Sequence, residues 1–227
     1  MRPAVRAWFE QSFAAPTRAQ ALGMPVIAER RSTLLLAPTG SGKTLAAFLA
    51  AIERVMFEPR SDPKSKSARV LYVSPLKALA VDIEKNLRAP IVGVMRAASA
   101  LGLPLHEPSV FVRSGDTPSR ERAAFLRGGA DLVITTPESL YLMLTSEAAK
   151  HLAGVETVIV DEIHAMAGTK RGSHLWLTLE RLEALRPASA GPLQRIGLTA
   201  TVRPLEAIAT VLGGYAAPGQ PRPVTIV

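Results

Sequence analysis

The chain has 227 residues, and 48% of them are hydrophobic, which is enough to bury one sizeable core. It contains no cysteine, which excludes a disulfide framework and a thiolate zinc site. Its net charge of +8 favours an anionic partner, most commonly nucleic acid, although abundant arginine and alanine could equally follow from a GC-rich genome. No apolar run is long enough for a leader or a bilayer span, so we expect a cytoplasmic protein without a membrane partner.

The first informative segment is a helix that Thr17 can cap. Gln20 lies in its first turn and carries both an amide donor and a carbonyl acceptor. That pair can read the N6 and N7 edge of adenine. Many surface glutamines have no such role, so this residue alone predicts little.

A buried strand, a glycine-containing turn and a helix follow one another between residues 33 and 52. The turn consists of Thr39, Gly40, Ser41 and Gly42, and its two glycines let the backbone curl around phosphate oxygens. Lys43 would neutralise the phosphates and the Thr44 hydroxyl would bind Mg²⁺, so the segment predicts nucleotide binding with magnesium. Ala37 departs from the general pattern of a phosphate-binding loop, or P-loop, which has glycine at this position. Several classes of P-loop protein share such a segment.

Two later strands each lead into a proline that can begin a helix. Pro75 and Lys77 follow the strand at 69–73, and Thr136 and Pro137 follow the strand at 131–135. The free N–H groups of such helix starts can bind phosphate. Ser-Pro and Thr-Pro are also common capping sequences, so both interpretations stay open.

The segments around these strands contain further basic residues. Residues 58–67 indicate an exposed connection, and a helix is expected to run to about residue 100, before a short strand at 110–113. The next helix carries Arg120, Arg122 and Arg127. These arginines either meet a nucleic acid backbone or form a solvated helix face.

An acidic pair follows the buried strand at 155–160, at the edge where parallel sheets bind ligands. Asp161 beside Thr44 would complete a magnesium site, and Glu162 could orient or deprotonate an attacking water. Adjacent carboxylates are costly to bury unless a cation or proton offsets them, which argues against a purely structural role. His164 is less informative, since a lone histidine is more often a satisfied polar contact.

The remaining elements complete an alternating pattern of strands and helices. A strand at 194–198 ends in Thr199-Ala200-Thr201, a short helix spans about 204–212, and residues 224–227 could start or edge a strand. The pattern predicts an α/β fold with a three-layer, mostly parallel sheet. We expect one domain over 1–212 and a Gly- and Pro-rich linker over 213–227.

The ordered series of motifs resembles the first RecA-like P-loop NTPase domain of superfamily 2 helicases. Its members are Gln20, Ala37–Thr44, Ser74–Ala80, Thr136–Leu140, Asp161–His164 and Thr199–Thr201. Within that superfamily the chain looks most like the large helicase-related (Lhr) proteins, notably through Lys170-Arg171-Gly172 after the acidic pair. The resemblance covers nearly the whole chain.

The resemblance implies a role for each matched residue. Gln20 would contact adenine, and Thr39, Gly40, Ser41, Gly42, Lys43 and Thr44 would bind the phosphates and Mg²⁺. Asp161 would bind Mg²⁺, and Glu162 would act on the hydrolytic water. Nucleic acid, with single-stranded DNA as the expected track, would contact the motifs of Pro75, Lys77, Thr136 and Pro137, while His164, Thr199 and Thr201 would couple hydrolysis to strand separation.

Helicases of this kind have two RecA-like domains with ATP between them, and nothing after Thr201 has room for the second. The resemblance therefore implies one lobe of an ATP-dependent 3′ to 5′ helicase, in DNA repair, that binds nucleotide but hydrolyses it poorly alone. The alternatives are an RNA helicase, a non-enzymatic binding module that keeps the fold, and a small-molecule P-loop kinase. The kinase would leave the motifs from Ser74 to Thr201 unexplained.

Overall fold

The computed structural model describes residues 1–60, 62, 65–201 and 203–227, without the side chains of residues 77–82 and 85. Its helices are α1 (Pro3–Ser12), α2 (Arg18–Ala28), α3 (Lys43–Phe57), α4 (Lys77–Ala100), α5 (Ser119–Gly128), α6 (Pro137–Leu144), α7 (Lys170–Leu185) and α8 (Leu205–Gly213). Its strands are β1 (Thr33–Leu36), β2 (Val70–Val73), β3 (Val110–Arg113), β4 (Leu132–Thr135), β5 (Thr157–Val160), β6 (Gln194–Thr199), β7 (Tyr215–Ala217), β8 (Gln220–Pro221) and β9 (Thr225–Ile226). Short 3₁₀ helices span Glu147–His151 and Ile163–Ala165.

Seven of the described strands form a parallel sheet in the order β3-β4-β2-β5-β6-β1-β9. Strands β2, β4 and β5 are buried along their whole length, as expected of parallel strands covered on both faces. Because every pairing within this sheet is parallel, the carboxyl ends of its strands meet at one edge. The loops that carry the predicted motifs therefore lie together.

Two hydrophobic clusters cover the two faces of the sheet. Buried side chains of α1, α2, α3 and α4 pack on one face, and those of α5, α6, α7 and α8 pack on the other. Alternation along β1 shows the division, since Leu35 belongs to the first cluster and Leu34 to the second. The architecture is a three-layer α/β sandwich.

Residues 213–227, predicted as a linker from their Gly and Pro content, contain short strands, and the edge strand expected at 224–227 is present as β9. Strands β7 and β8 form a small antiparallel hairpin, and β9 adds to the edge of the main sheet beside β1. Arg222 Nη1 lies 3.0 Å from Glu180 Oε1 on α7, which ties the hairpin to the second helical layer. Backbone pairing and this ion pair hold the segment against the sheet.

Gly172 lies where α7 passes close to the loop after the acidic pair. A Cβ at this position would lie 1.9 Å from the backbone oxygen of Met166, which no side-chain rotation can relieve. We expect Gly172→Ala to lower the free energy of unfolding by about 1–3 kcal/mol, the usual cost of forcing extra volume into a packed site. Urea denaturation measures this.

Gly128 provides the matched control, because a Cβ there would meet no atom within 4 Å. Gly128 is the last residue of α5, so Gly128→Ala is expected to leave stability unchanged or to raise it by about 0.5–1 kcal/mol. Equal effects of the two substitutions would contradict this explanation of Gly172.

Candidate functional site

The turn between β1 and α3 has the backbone expected of a phosphate-binding loop. Gly40 has φ of 82° and Gly42 has φ of 78°, a left-handed region that glycine adopts without strain. Thr39 and Gly40 are exposed at the tip of this turn. Helix α3 begins directly afterwards, so its first N–H groups and the positive end of its dipole face the turn.

Ser41 Oγ, within this turn, is buried and has no hydrogen-bond partner in the described part of the chain. Lys43, which follows the turn, is only 4% exposed and forms neither a hydrogen bond nor an ion pair with the described residues. An anion at the turn would give both groups a partner. The turn thus fits a phosphate chain.

Thr44 and Asp161 meet across the carboxyl edge of the sheet. Thr44 Oγ1 lies 3.5 Å from Asp161 Oδ2, although the two residues follow different strands. The other carboxylate oxygen, Oδ1, accepts a hydrogen bond from the Glu162 N–H at 2.8 Å. The described residues contain no group of three or more His, Cys, Asp or Glu that could hold a metal. A hydroxyl and one carboxylate nevertheless fit Mg²⁺, which usually takes its other ligands from phosphates and water.

Tyr72, which the sequence pattern did not single out, also contacts this carboxylate. Its hydroxyl donates a hydrogen bond to Asp161 Oδ2. Burial, together with the negative charge of Asp161, raises the pKa of the Tyr72 phenol far above its usual range. Tyr72 therefore remains a hydrogen-bond donor at any physiological pH.

Glu162, His164 and Thr199 form a polar cluster beside Asp161. Glu162 has φ of 50°, an uncommon conformation for a residue with a side chain. His164 Nδ1 lies 3.2 Å from Glu162 Oε2 and 3.4 Å from Thr199 Oγ1. The structure thus joins the predicted water-activating residue to two of the three predicted coupling residues. Thr201 is exposed just beyond β6.

Gln20 is only 3% exposed and ties α2 to the phosphate-binding turn. Its Oε1 accepts from the Thr17 N–H at 2.9 Å, while Thr17 Oγ1 accepts from the Gln20 N–H, and together they form a capping box. Gln20 Nε2 donates to the Gly42 oxygen at 3.4 Å, and Thr17 Oγ1 donates to the Ser41 oxygen at 2.6 Å. The amide oxygen and nitrogen each retain capacity for one further hydrogen bond.

The residues predicted to contact nucleic acid lie at the same sheet edge, after β2 and β4. Pro75 and Pro137 are buried, and Pro137 begins α6 as predicted. Pro75 does not begin a helix, because α4 starts two residues later at Lys77 with Leu76 as its N-cap. Thr136 Oγ1 accepts from the Ser139 N–H at 3.3 Å, which is an ordinary helix cap. The side chain of Lys77 lies outside the described residues. Nucleic acid contact by these residues stays a prediction.

An ion pair that the sequence did not predict links the acidic loop to one of these helix starts. Arg171, at the start of α7, binds Glu138, at the start of α6, through both carboxylate oxygens, with Nη2 to Oε2 at 3.0 Å. The hydrogen bonds from Arg171 hold the pKa of Glu138 below its usual range. In the sequence, both residues lie only within motifs of the family resemblance, which do not indicate that they pair.

These features place the chain among the P-loop nucleotide-binding proteins. The family model for DEAD/DEAH box helicases matches residues 17–208, and the chain belongs to that family. This confirms the predicted superfamily and, with it, the RecA-like α/β fold.

Similar proteins from bacteria carry the name Lhr. The chain is 56% identical over 222 residues to Lhr helicase/probable uracil glycosylase of Mycolicibacterium smegmatis and 50% identical over 229 residues to Lhr helicase/uracil glycosylase of Escherichia coli. It covers 14% of the length of each, and these matches take in 98% and 99% of the chain. A solved structure of Mycobacterium smegmatis helicase Lhr bound to ssDNA and AMP-PNP superimposes with a TM-score of 0.89 and 54% identity, covering 100% of this chain and 27% of that one.

Among the described residues, no helix combines the length and apolar character required to cross a bilayer.

Proposed function

We propose that this chain is the ATP-binding motor lobe of an ATP-dependent helicase or translocase that moves on nucleic acid. The observation that carries the proposal is the meeting of Thr44 with Asp161 at 3.5 Å beside a phosphate-binding turn. Phosphoryl transfer requires the two protein ligands of Mg²⁺ to be adjacent, and Thr44 and Asp161 are adjacent although 117 positions separate them in sequence.

Each residue of the nucleotide site has a defined task in ATP hydrolysis. The turn's N–H groups and the Lys43 ammonium bind the β and γ phosphates, and Thr44 and Asp161 would hold Mg²⁺. Bound there, Mg²⁺ neutralises the charge that develops on the phosphate oxygens. Glu162 orients the attacking water and accepts its proton, and His164 fixes the position of the Glu162 carboxylate.

Single-stranded DNA is the proposed track. The support is the net charge of +8, the helix starts after β2 and β4 at the nucleotide edge, and the related Lhr structure, which holds ssDNA. Contacts of this kind address the backbone, so binding should read little sequence and weaken with salt. Family resemblance adds a 3′ to 5′ direction and a role in DNA repair.

A second RecA-like lobe is the proposed partner, because the Lhr proteins that resemble this chain are several times longer. Such a lobe would close over the nucleotide and supply arginine fingers. In related phosphoryl transfer these are worth roughly 10³ to 10⁵ in rate. The isolated chain is therefore proposed to bind nucleotide and to hydrolyse it slowly.

The test is strand separation by this chain alone and by the same chain joined to a second lobe. Duplexes with a 3′ or a 5′ single-stranded tail are supplied with ATP and Mg²⁺. We expect unwinding only by the joined protein and only of the 3′-tailed duplex. Robust unwinding by the chain alone would refute the single-lobe proposal, and unwinding of the 5′-tailed duplex would refute the direction.

A further inference from the structure

Tyr72 places a hydroxyl group in the middle of an otherwise apolar strand. Its neighbours on β2 are Val70, Leu71 and Val73, and the whole strand is buried between two layers of helices. A buried hydroxyl is costly unless it is hydrogen-bonded. Within the described part of the chain, the partner of this hydroxyl is Asp161.

The geometry of the sheet explains why a tyrosine can reach this carboxylate. Tyr72 is in register with Ile159 on the adjacent strand β5, and Asp161 lies two residues further along on the same face. The length of the phenol ring spans that offset. A shorter side chain at this position would remain level with Ile159.

The ring itself is held by the helix that follows the phosphate-binding turn. Phe48 of α3 stacks on Tyr72, with ring centroids 5.0 Å apart and planes at 21°. Phe48 lies four residues after Thr44, so both project from the same side of α3. The stack thus links the position of the Tyr72 hydroxyl to the helix that carries Thr44.

We infer that Tyr72 is a positioning residue of the nucleotide site, which holds the Asp161 carboxylate in the orientation that receives Mg²⁺. This inference rests on the proposed function. One carboxylate oxygen, Oδ1, is fixed by the Glu162 N–H, and the other, Oδ2, is fixed by the Tyr72 hydroxyl while it faces Thr44. Hydrogen bonds to both oxygens oppose rotation of the carboxylate and keep Oδ2 facing the Thr44 hydroxyl, 3.5 Å away.

Tyr72→Phe removes only the hydroxyl and keeps the stack on Phe48. Loss of an outer-shell hydrogen bond to a metal ligand typically costs roughly 10–100-fold in metal affinity. Since the Glu162 N–H still holds Oδ1, we expect the low end of that range, about tenfold. The substitution should weaken nucleotide binding in the presence of Mg²⁺ and leave binding without Mg²⁺ unchanged.

The test is calorimetric titration of the chain with ADP, with and without Mg²⁺. The measured quantity is the ratio of the metal-free to the metal-bound Kd. We expect Tyr72→Phe to lower this ratio about tenfold and to leave the metal-free Kd within about twofold of that of the unmodified chain. Tyr215→Phe is the matched control, because Tyr215 lies half-exposed on the β7–β8 hairpin, and it should change neither value.

An unchanged ratio of the two Kd values would overturn the inference, and so would an equal weakening of ADP binding with and without Mg²⁺. Either result is expected if Tyr72 only packs in the core. Absence of Mg²⁺-dependent binding by the unmodified chain is a different failure. It would remove the proposed function and the inference with it. Thermal unfolding of each variant confirms that the compared proteins are folded.

Discussion

Glu162→Gln is expected to lower ATP turnover by about 10²- to 10⁴-fold, the usual contribution of a positioned general base. The amide can still hold a water molecule, but it cannot accept its proton. Because the backbone of Glu162 and its packing are unchanged, nucleotide binding should be retained. Single-turnover hydrolysis by the chain joined to a second lobe measures the chemical step, and calorimetry measures binding.

The control for Glu162→Gln is Glu206→Gln, which removes the same charge from an exposed position on α8. It should leave turnover unchanged. If Glu162→Gln hydrolysed ATP at the unmodified rate, the water-activating role of the acidic pair would be wrong. If it failed to bind nucleotide, Glu162 would instead be a binding residue.

Lys43→Met should separate binding from stability. Removing one member of a buried, hydrogen-bonded charge pair costs about 2–5 kcal/mol, so nucleotide affinity should fall by at least about 25-fold. Without nucleotide the effect on stability should be small, because Met keeps the aliphatic stem, which is the part of this 4% exposed residue that packs, and no hydrogen bond or ion pair of Lys43 with the described residues is lost. Calorimetry and thermal unfolding in nucleotide-free buffer test the two halves.

Lys150→Met, on the exposed side of the 3₁₀ helix Glu147–His151, is the matched control and should change neither property. A Lys43→Met variant that lost apo stability while keeping its affinity for nucleotide would contradict the account. That result would make Lys43 a structural residue.

The parts of this protein that the sequence predicts are those fixed by short-range patterns. The strand, the two glycines and the helix of the phosphate-binding turn are contiguous, so their local chemistry suffices to predict them. Asp161 could be placed at the sheet edge from sequence because it directly follows the buried strand predicted at 155–160. Alternation of strands and helices then determined the α/β class.

Contacts between distant segments could not be read in the same way. Tyr72 looks like an ordinary strand residue until the register with β5 places it against Asp161. The sequence does not show why residue 172 is glycine, because the Met166 carbonyl that leaves no room for a Cβ approaches it only in the folded chain. The pair of Arg171 with Glu138 joins two helix starts that are far apart in the chain.

The C-terminal segment was predicted in part. The apolar residues 224–227 predicted the edge strand that β9 forms, whereas the Gly- and Pro-rich residues before them gave no sign of the β7–β8 hairpin or of the pair of Arg222 with Glu180. The roles of Pro75, Thr136 and Pro137 remain predictions. Thr136 and Pro137 have the contacts of a normal helix start, which would be the same with or without nucleic acid nearby, and Pro75 is buried just before α4.

Steady-state ATP hydrolysis by this chain, with and without single-stranded DNA, tests the central claim most directly. The account predicts slow hydrolysis that DNA barely stimulates, rising by orders of magnitude when a second lobe is joined to the chain. Rapid, DNA-stimulated turnover by the chain alone would contradict the claim that the site is completed by another lobe.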